Sequence, residues 1–248
     1  MSSGVALITG SSRGIGRAIA LKLAADGYNI ALNDLASTEN DLHDIEREIT
    51  ETSRKVIVCL ADVSQEEEVV RMIDDVVKRL GGLNVMVANA GICIPRPFLE
   101  STLDEWDAMF NVNGKGVYLC YKYAGKQMIK QGGGGRIIGA CSVAGKQGIP
   151  LMSLYSATKF TVRSLTQSAA AELGKYGITV NAYAPGFVKT SMMDQFAQDA
   201  KQWGVTDTIY DNAGKPEDIA TLVSYLASPA ASYVNGQSIS INGGRFFD

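Results

Sequence analysis

The chain has 248 residues, of which 46% are apolar and 20% charged, and its formal net charge is −3. That is enough apolar chain for a sizeable core, while the lack of any basic run or stripe argues against a nucleic-acid partner. No apolar stretch approaches the length of a membrane span, so no membrane partner is expected either.

The N-terminus passes directly into a strand-like run without signal-peptide anatomy. The four cysteines (Cys59, Cys93, Cys120, Cys141) show no C-x-x-C spacing and read as reduced thiols of a cytoplasmic protein. The single histidine, His43, lies in the charged stretch LHDIEREITETSRK, which reads as an exposed helix. Neither a zinc site nor a Ser-His-Asp triad can be built around it, and no metal is expected.

Val5–Thr9 is a short continuous apolar run, the mark of a strand buried on both faces. Thr9-Gly10-Ser11-Ser12-Arg13-Gly14-Ile15-Gly16 follows, and then a helical pattern closed by Gly27. Strand, glycine turn and helix in that order form the context of a dinucleotide-binding turn. Gly10 allows a tight bend, Gly14 close approach to a pyrophosphate, and Gly16 packing of helix on strand. The same residues match the G-x-S-x-G nucleophile elbow, with Ser12 as nucleophile, but without a histidine partner.

Residues 28–34 read as a second strand ending on Asp34, 18 residues beyond Gly16. That spacing suits a carboxylate accepting from a ribose 2′-hydroxyl and repelling a 2′-phosphate. A helix over 38–53 and a strand Val56–Leu60 follow, the latter running into Asp62 and Val63. Ser64 with Glu67 has the spacing of a capping box for a helix reaching about residue 80. Asn84–Ala88 reads as a fourth strand running into Asn89-Ala90-Gly91, and a loop over 92–101 precedes a long helix over 102–131. Asn111-Val112-Asn113-Gly114 weakens that helix midway, which predicts a local kink. Arg136–Ala140 is a strand ending at Cys141-Ser142, and Thr179–Ala184 another, ended by Pro185-Gly186. A substrate lid is expected over 187–213, then a last helix from Lys215 and a last strand Ser238–Ile241.

Tyr155-Ser156-Ala157-Thr158-Lys159 opens an apolar-periodic run, so Tyr155 and Lys159 stand one helical turn apart on one face. A phenol ordinarily titrates near ~10, and a neighbouring ammonium is expected to lower that value and make the pair a general acid–base. Ser156 to Lys159 also matches S-x-x-K, but its companion S-D-N and K-T-G motifs are missing.

Strands alternating with helices predict an α/β fold: one doubly wound parallel sheet of about seven strands, helices on both faces, in one domain over 1–248. Gly10–Gly16, Asp34, Asp62, Asn89, Ser142 and Pro185 all follow strand ends and therefore share one edge, where such sheets bind ligands.

TGSSRGIG, NAG at 89–91, Asn113, Ser142, YSATK and the Pro-Gly at 185–186 occur in an order and spacing that resemble the short-chain dehydrogenase/reductase family over essentially the whole chain. The stretch YSATKFTVRSLTQSAAAELGKYGITVNAYAPG is most similar to its diacetyl/acetoin reductase (butanediol dehydrogenase) group. The resemblance implies that Tyr155 donates or accepts the proton, Lys159 supports it and holds the nicotinamide ribose, and Ser142 orients the substrate oxygen. It implies a supporting role for Asn113, and cofactor contacts from Ser12, Arg13, Ile15, Asp62 and Val63. Asn89, Ala90 and Gly91 are implied against the adenosine, and Pro185, Gly186, Val188 and Thr190 near the nicotinamide. A homotetramer is the family expectation.

The expected activity is hydride transfer between a nicotinamide cofactor and a small or medium ketone, diketone or secondary alcohol. The expected pocket draws on 92–97, 143–150 and 187–203, with Gln147 and Gly186 beside the substrate. Asp34 favours NAD(H); Arg13, able to pair with a 2′-phosphate, makes NADP(H) the rival. A reductase of carrier-bound 3-oxoacyl groups shares every catalytic residue, and a non-catalytic dinucleotide sensor would have no need of the Asn-Ser-Tyr-Lys set.

Overall fold

A computed structural model describes residues 4–203 and 213–247. The sheet is built from β1 (Val5–Thr9), β2 (Asn29–Asp34), β3 (Val56–Leu60), β4 (Val85–Ala88), β5 (Gly135–Ala140), β6 (Ile178–Pro185) and β7 (Ser238–Ile241). All pairings are parallel and the order is β3-β2-β1-β4-β5-β6-β7. The order reverses between β1 and β4, which opens a crevice at their carboxyl ends.

Side chains alternate across the sheet as the pleat requires. Val5 and Leu7 of β1 and Met86 and Ala88 of β4 enter one core, whereas Ala6, Ile8, Val85 and Val87 enter the other. Helices α1 (Gly14–Ala25), α2 (Glu39–Thr50) and α8 (Pro216–Ala227) cover one face. The opposite face carries α3 (Glu66–Leu80), α5 (Val117–Gln131) and α6 (Ser153–Leu173). Burial on both faces is why the central strands β1 and β4 read as nearly unbroken apolar runs.

Three local expectations change. The helix over 102–131 is α4 (Leu103–Met109), a π-helical stretch Phe110–Gly116, then α5. The kink expected at Asn111–Gly114 is therefore a π-bulge, and it turns Asn113 fully inward. The reciprocal capping box lies at Thr102 and Glu105 of α4. The box expected at Ser64 and Glu67 does not form, because Gln65 is the residue before α3. There Asp62 Oδ1 accepts from the Ser64 amide at 2.8 Å, and Glu68 Oε2 accepts from the Asp62 amide at 2.7 Å. Within the stretch expected to form a lid, residues 191–201 are a helix, α7 (Ser191–Lys201), capped by Thr190. Part of that expectation, residues 204–212, lies outside the described residues.

Candidate active site

A cavity of about 380 Å³ runs along the carboxyl edge of the sheet. Its first wall is the glycine turn. Gly10 and Gly14 have φ of +63° and +55°, the left-handed region that favours glycine. A Cβ on Gly16 would stand 2.1 Å from the Gly10 carbonyl oxygen, so that helix and turn can only meet over a glycine. No side chain caps α1, which leaves the amides at its first turn pointing into the cavity edge formed by Gly14, Ile15 and Gly16. Unbonded amides, a helix N-terminus and a glycine cradle fit a pyrophosphate, and so fit a dinucleotide.

Asp34 closes one end of this trough. Its carboxylate accepts from the Ser12 amide (3.1 Å), the Ser12 hydroxyl (2.6 Å) and the Leu35 amide (2.9 Å). Ser12 is buried and does not line the cavity; its amide and hydroxyl fix Asp34. Arg13 does line the cavity, is exposed, and makes no ion pair with another described residue. Asn33, which the sequence reading passed over, donates to the Cys59 and Ala61 carbonyls, each at 3.0 Å. It thereby ties β2 to the start of the loop that presents Asp62 and Val63 to the cavity.

Asn89, Ala90 and Gly91 line the middle. The Asn89 side chain is committed to the protein: its Nδ2 donates to the Thr9 and Gly10 carbonyls (2.8 and 2.9 Å) and its Oδ1 accepts from Tyr183 Oη at 2.8 Å. The side chain thus braces the glycine turn, and Asn89 still lines the cavity. A Cβ on Gly91 would stand 3.2 Å from Asn113 Oδ1 and 3.5 Å from Lys159 Nζ. Asn113 lies behind the cavity wall: its amide pairs with the Ile92 backbone in both directions (2.9 and 2.8 Å) and donates to Thr158 Oγ1 at 3.1 Å.

Ser142, Tyr155 and Lys159 meet where β5 ends against α6. Ser142 Oγ accepts from the Ala144 amide at 3.1 Å and is hydrogen-bonded to the Tyr155 phenol. With the Ala144 amide on its lone pair, the Ser142 hydroxyl keeps its proton to donate. Gly145 permits this packing, since a Cβ there would stand 2.7 Å from the Lys159 carbonyl oxygen and 2.5 Å from Cys141 Sγ. Lys159 Nζ donates to the Ala140 carbonyl at 2.9 Å and sits 5.2 Å from the Tyr155 ring centre.

The electrostatics correct the sequence reading. Burial raises the Tyr155 pKa well above the ordinary phenol value; the Cys93 thiol pushes the same way, and the Ser142 hydrogen bond opposes without prevailing. Burial also lowers Lys159 to about 8. The pair still stands on one helix face, but burial favours the protonated phenol over the phenolate.

Pro185, Gly186, Val188 and Thr190 line the far wall, as expected. Gln147 does not: it is exposed and lies outside the cavity. Met152, beyond the range expected for the pocket, does line it. The four cysteines are unpaired, and His43 sits on the α2 surface beside Glu39 and Glu46. Among the described residues no cluster of metal-ligating side chains occurs and no helix is long and apolar enough to cross a membrane.

A family model described as enoyl-(acyl carrier protein) reductase matches residues 10–245. A short-chain dehydrogenase/reductase of Armillaria gallica is 51% identical, over 98% of this chain and 96% of its own. A 3-oxoacyl-(acyl-carrier-protein) reductase of Staphylococcus aureus is 43% identical over 97% of each chain. The (S)-acetoin-forming diacetyl reductase of Staphylococcus epidermidis is 41% identical over 99% of each. Among solved structures, a short chain dehydrogenase from Burkholderia cenocepacia in complex with NADP superposes with a TM-score of 0.87 at 35% identity, over 97% of each chain. With this sheet order, this glycine cradle and these relatives, the chain is an oxidoreductase of the short-chain dehydrogenase/reductase family.

Proposed function

We propose that the chain interconverts ketones and secondary alcohols with a nicotinamide cofactor, preferring NAD(H), with Tyr155 as the proton donor. The observation that carries this reading is the meeting of a protonated, buried Tyr155 with the Ser142 hydroxyl at the wall of a dinucleotide-shaped trough. When bound, the cofactor supplies or accepts a hydride at its nicotinamide ring. Gly14, Ile15 and Gly16 would hold its phosphates, with Asp62, Val63, Ala90 and Gly91 flanking the adenosine half. Pro185, Gly186, Val188 and Thr190 would flank the nicotinamide half.

Ser142 donates to the oxygen on which charge builds, and Tyr155 delivers its proton to that oxygen. Lys159 keeps a positive charge beside the phenol, held by the Ala140 carbonyl. Asn113 acts by position, fixing Ile92 and Thr158 around them.

Ser142→Ala should cost roughly 10²–10³-fold in kcat, the effect of losing one oxyanion donor. Cys141→Ser should change little, because Cys141 packs under Gly145 and has only weak thiol contacts, to the Ser142 and Lys159 carbonyls. Reduction of a ketone, followed by absorbance of the reduced nicotinamide, measures both. A larger loss at Cys141 than at Ser142 would reverse the assignment.

The cofactor preference rests on Asp34. Three protein hydrogen bonds hold its carboxylate at the ribose end of the trough. It can accept from a free 2′-hydroxyl there, and repels a 2′-phosphate. Arg13 is exposed on a long stem and can turn to solvent, whereas Asp34 cannot move away. Asp34→Ala should shift the NAD-to-NADP ratio of kcat/KM toward NADP by roughly 10–100-fold, the worth of a hydrogen bond to a charged group. A wild-type preference for NADP(H) that survives Asp34→Ala would make Arg13 the determinant.

A homotetramer fits the apolar side chains left exposed on α4, α5 and α6 (Leu103, Tyr118, Phe160), and a cytoplasmic location fits four unpaired thiols.

A further inference from the structure

The half of the cavity beyond Tyr155 differs in chemistry from the half that carries Asp34 and Asp62. Its wall is Cys93, Ile149, Met152, Phe187, Met193 and Phe196. Met152, Met193 and Phe196 are each under a tenth exposed and form a small apolar cluster of their own, with Tyr155 packed against it. The six side chains carry no charge, amide or hydroxyl, and sulfur is their only heteroatom.

Nearby polar groups do not change this. Gln147 is exposed and outside the cavity. Lys159 and Asp199 are the charges that act on Cys93. The first is the buried ammonium at the Ala140 carbonyl, and the second is a carboxylate that repels anions. The Arg96 guanidinium, on the neighbouring loop, is bound by Glu105 and lies over the Trp203 ring at 5.9 Å. The Arg245 guanidinium lies over the Phe187 ring at 5.5 Å but does not line the cavity. Among the described residues that line this half, an anionic substrate would therefore meet no cation beyond Lys159, and a second carbonyl or hydroxyl would meet no strong donor on the six apolar side chains. Either group would give up its water without a partner. Thioethers instead adapt their shape to an irregular apolar body.

We infer that the substrate is an uncharged ketone or secondary alcohol with one reacting oxygen on an apolar skeleton. It is not a diketone, a keto acid or a carrier-bound acyl chain. This inference rests on the reading that Tyr155 serves the reacting oxygen, and it deepens that reading.

The test compares 2-decalone, diacetyl and pyruvate as substrates of the NADH-loaded protein. It adds calorimetric binding of 2-decalol and 2,3-butanediol to the NAD-loaded Tyr155→Phe variant. The decalone should exceed diacetyl in kcat/KM by at least ~10-fold, since even one methylene in an apolar pocket is worth that much. Pyruvate should not turn over. Phe196→Asn and Met193→Gln, each checked for folding by thermal melting, should narrow the decalone-to-diacetyl ratio. Diacetyl or pyruvate matching the decalone, or a ratio unmoved in both folded variants, overturns the inference. If no ketone is reduced but decalol binds more tightly than butanediol, the apolar-ligand assignment stands and the chemical reading falls. If neither alcohol binds, the inference falls with it.

Discussion

Tyr155→Phe is expected to lower ketone reduction by ~10²–10⁴-fold, the range for loss of a general acid, while binding of the reduced cofactor changes little. The substitution keeps the ring, which packs against the Met152, Met193 and Phe196 cluster, and removes only the proton. The direction of the Tyr155 shift sharpens the expectation. Burial holds the phenol protonated far into the alkaline range, so reduction in the wild type needs no prior ionisation. Oxidation of an alcohol needs the opposite state of the same group, and its rate should climb with pH where reduction does not. Stopped-flow absorbance of the reduced nicotinamide, with cofactor binding read from its fluorescence, separates the chemical step from affinity. Wild-type-like turnover in Tyr155→Phe would remove the residue from the mechanism.

What could be read in the chain beforehand follows from where each constraint acts. The central strands are legible because burial on both faces forces unbroken apolar runs, and β1 begins and ends where its run does, whereas the partly buried edge strand β7 alternates serine and isoleucine. The site was legible as an edge, because a parallel sheet gathers every strand's carboxyl end on one side. The direction of individual side chains was not. Asn89 looks like a ligand contact in a string of letters, but its amide is taken by Thr9, Gly10 and Tyr183, residues far from it in sequence. Gln147 follows the Ser142 turn by only a few residues, yet that turn carries it to the surface. Ser64 and Glu67 have the spacing of a capping box, but Asp62 and Glu68 take the backbone amides first. The spacing of Tyr155 and Lys159 reports the nearby charge and not the burial around the phenol, and burial prevails.

Lys159→Met should make the cofactor-free protein more stable near neutral pH while abolishing most of its activity. The ammonium is buried with a single protein hydrogen bond, to the Ala140 carbonyl, and burial lowers its pKa from 10.5 to about 8. At ~1.4 kcal/mol per pKa unit that is about 3 kcal/mol against the folded state. Leaving the Ala140 carbonyl without its donor returns about 1 kcal/mol or more of that. A net gain of ~1–2 kcal/mol should raise Tm by roughly 2–8 °C in a chain of this size. The pH dependence has a definite sign. Below about pH 8 both the folded and unfolded wild-type chains hold the proton, and the penalty is present in full. Between about 8 and 10.5 the unfolded chain holds a proton that the folded one has released, so wild-type stability rises with pH across that window. The advantage of Lys159→Met should therefore be largest at pH 7 and shrink steadily as pH rises through 8 to 10. Denaturant unfolding of both proteins at several pH values reads this directly. A variant less stable than wild type at pH 7, or a difference that stays constant with pH, would show that the buried ammonium carries no such cost.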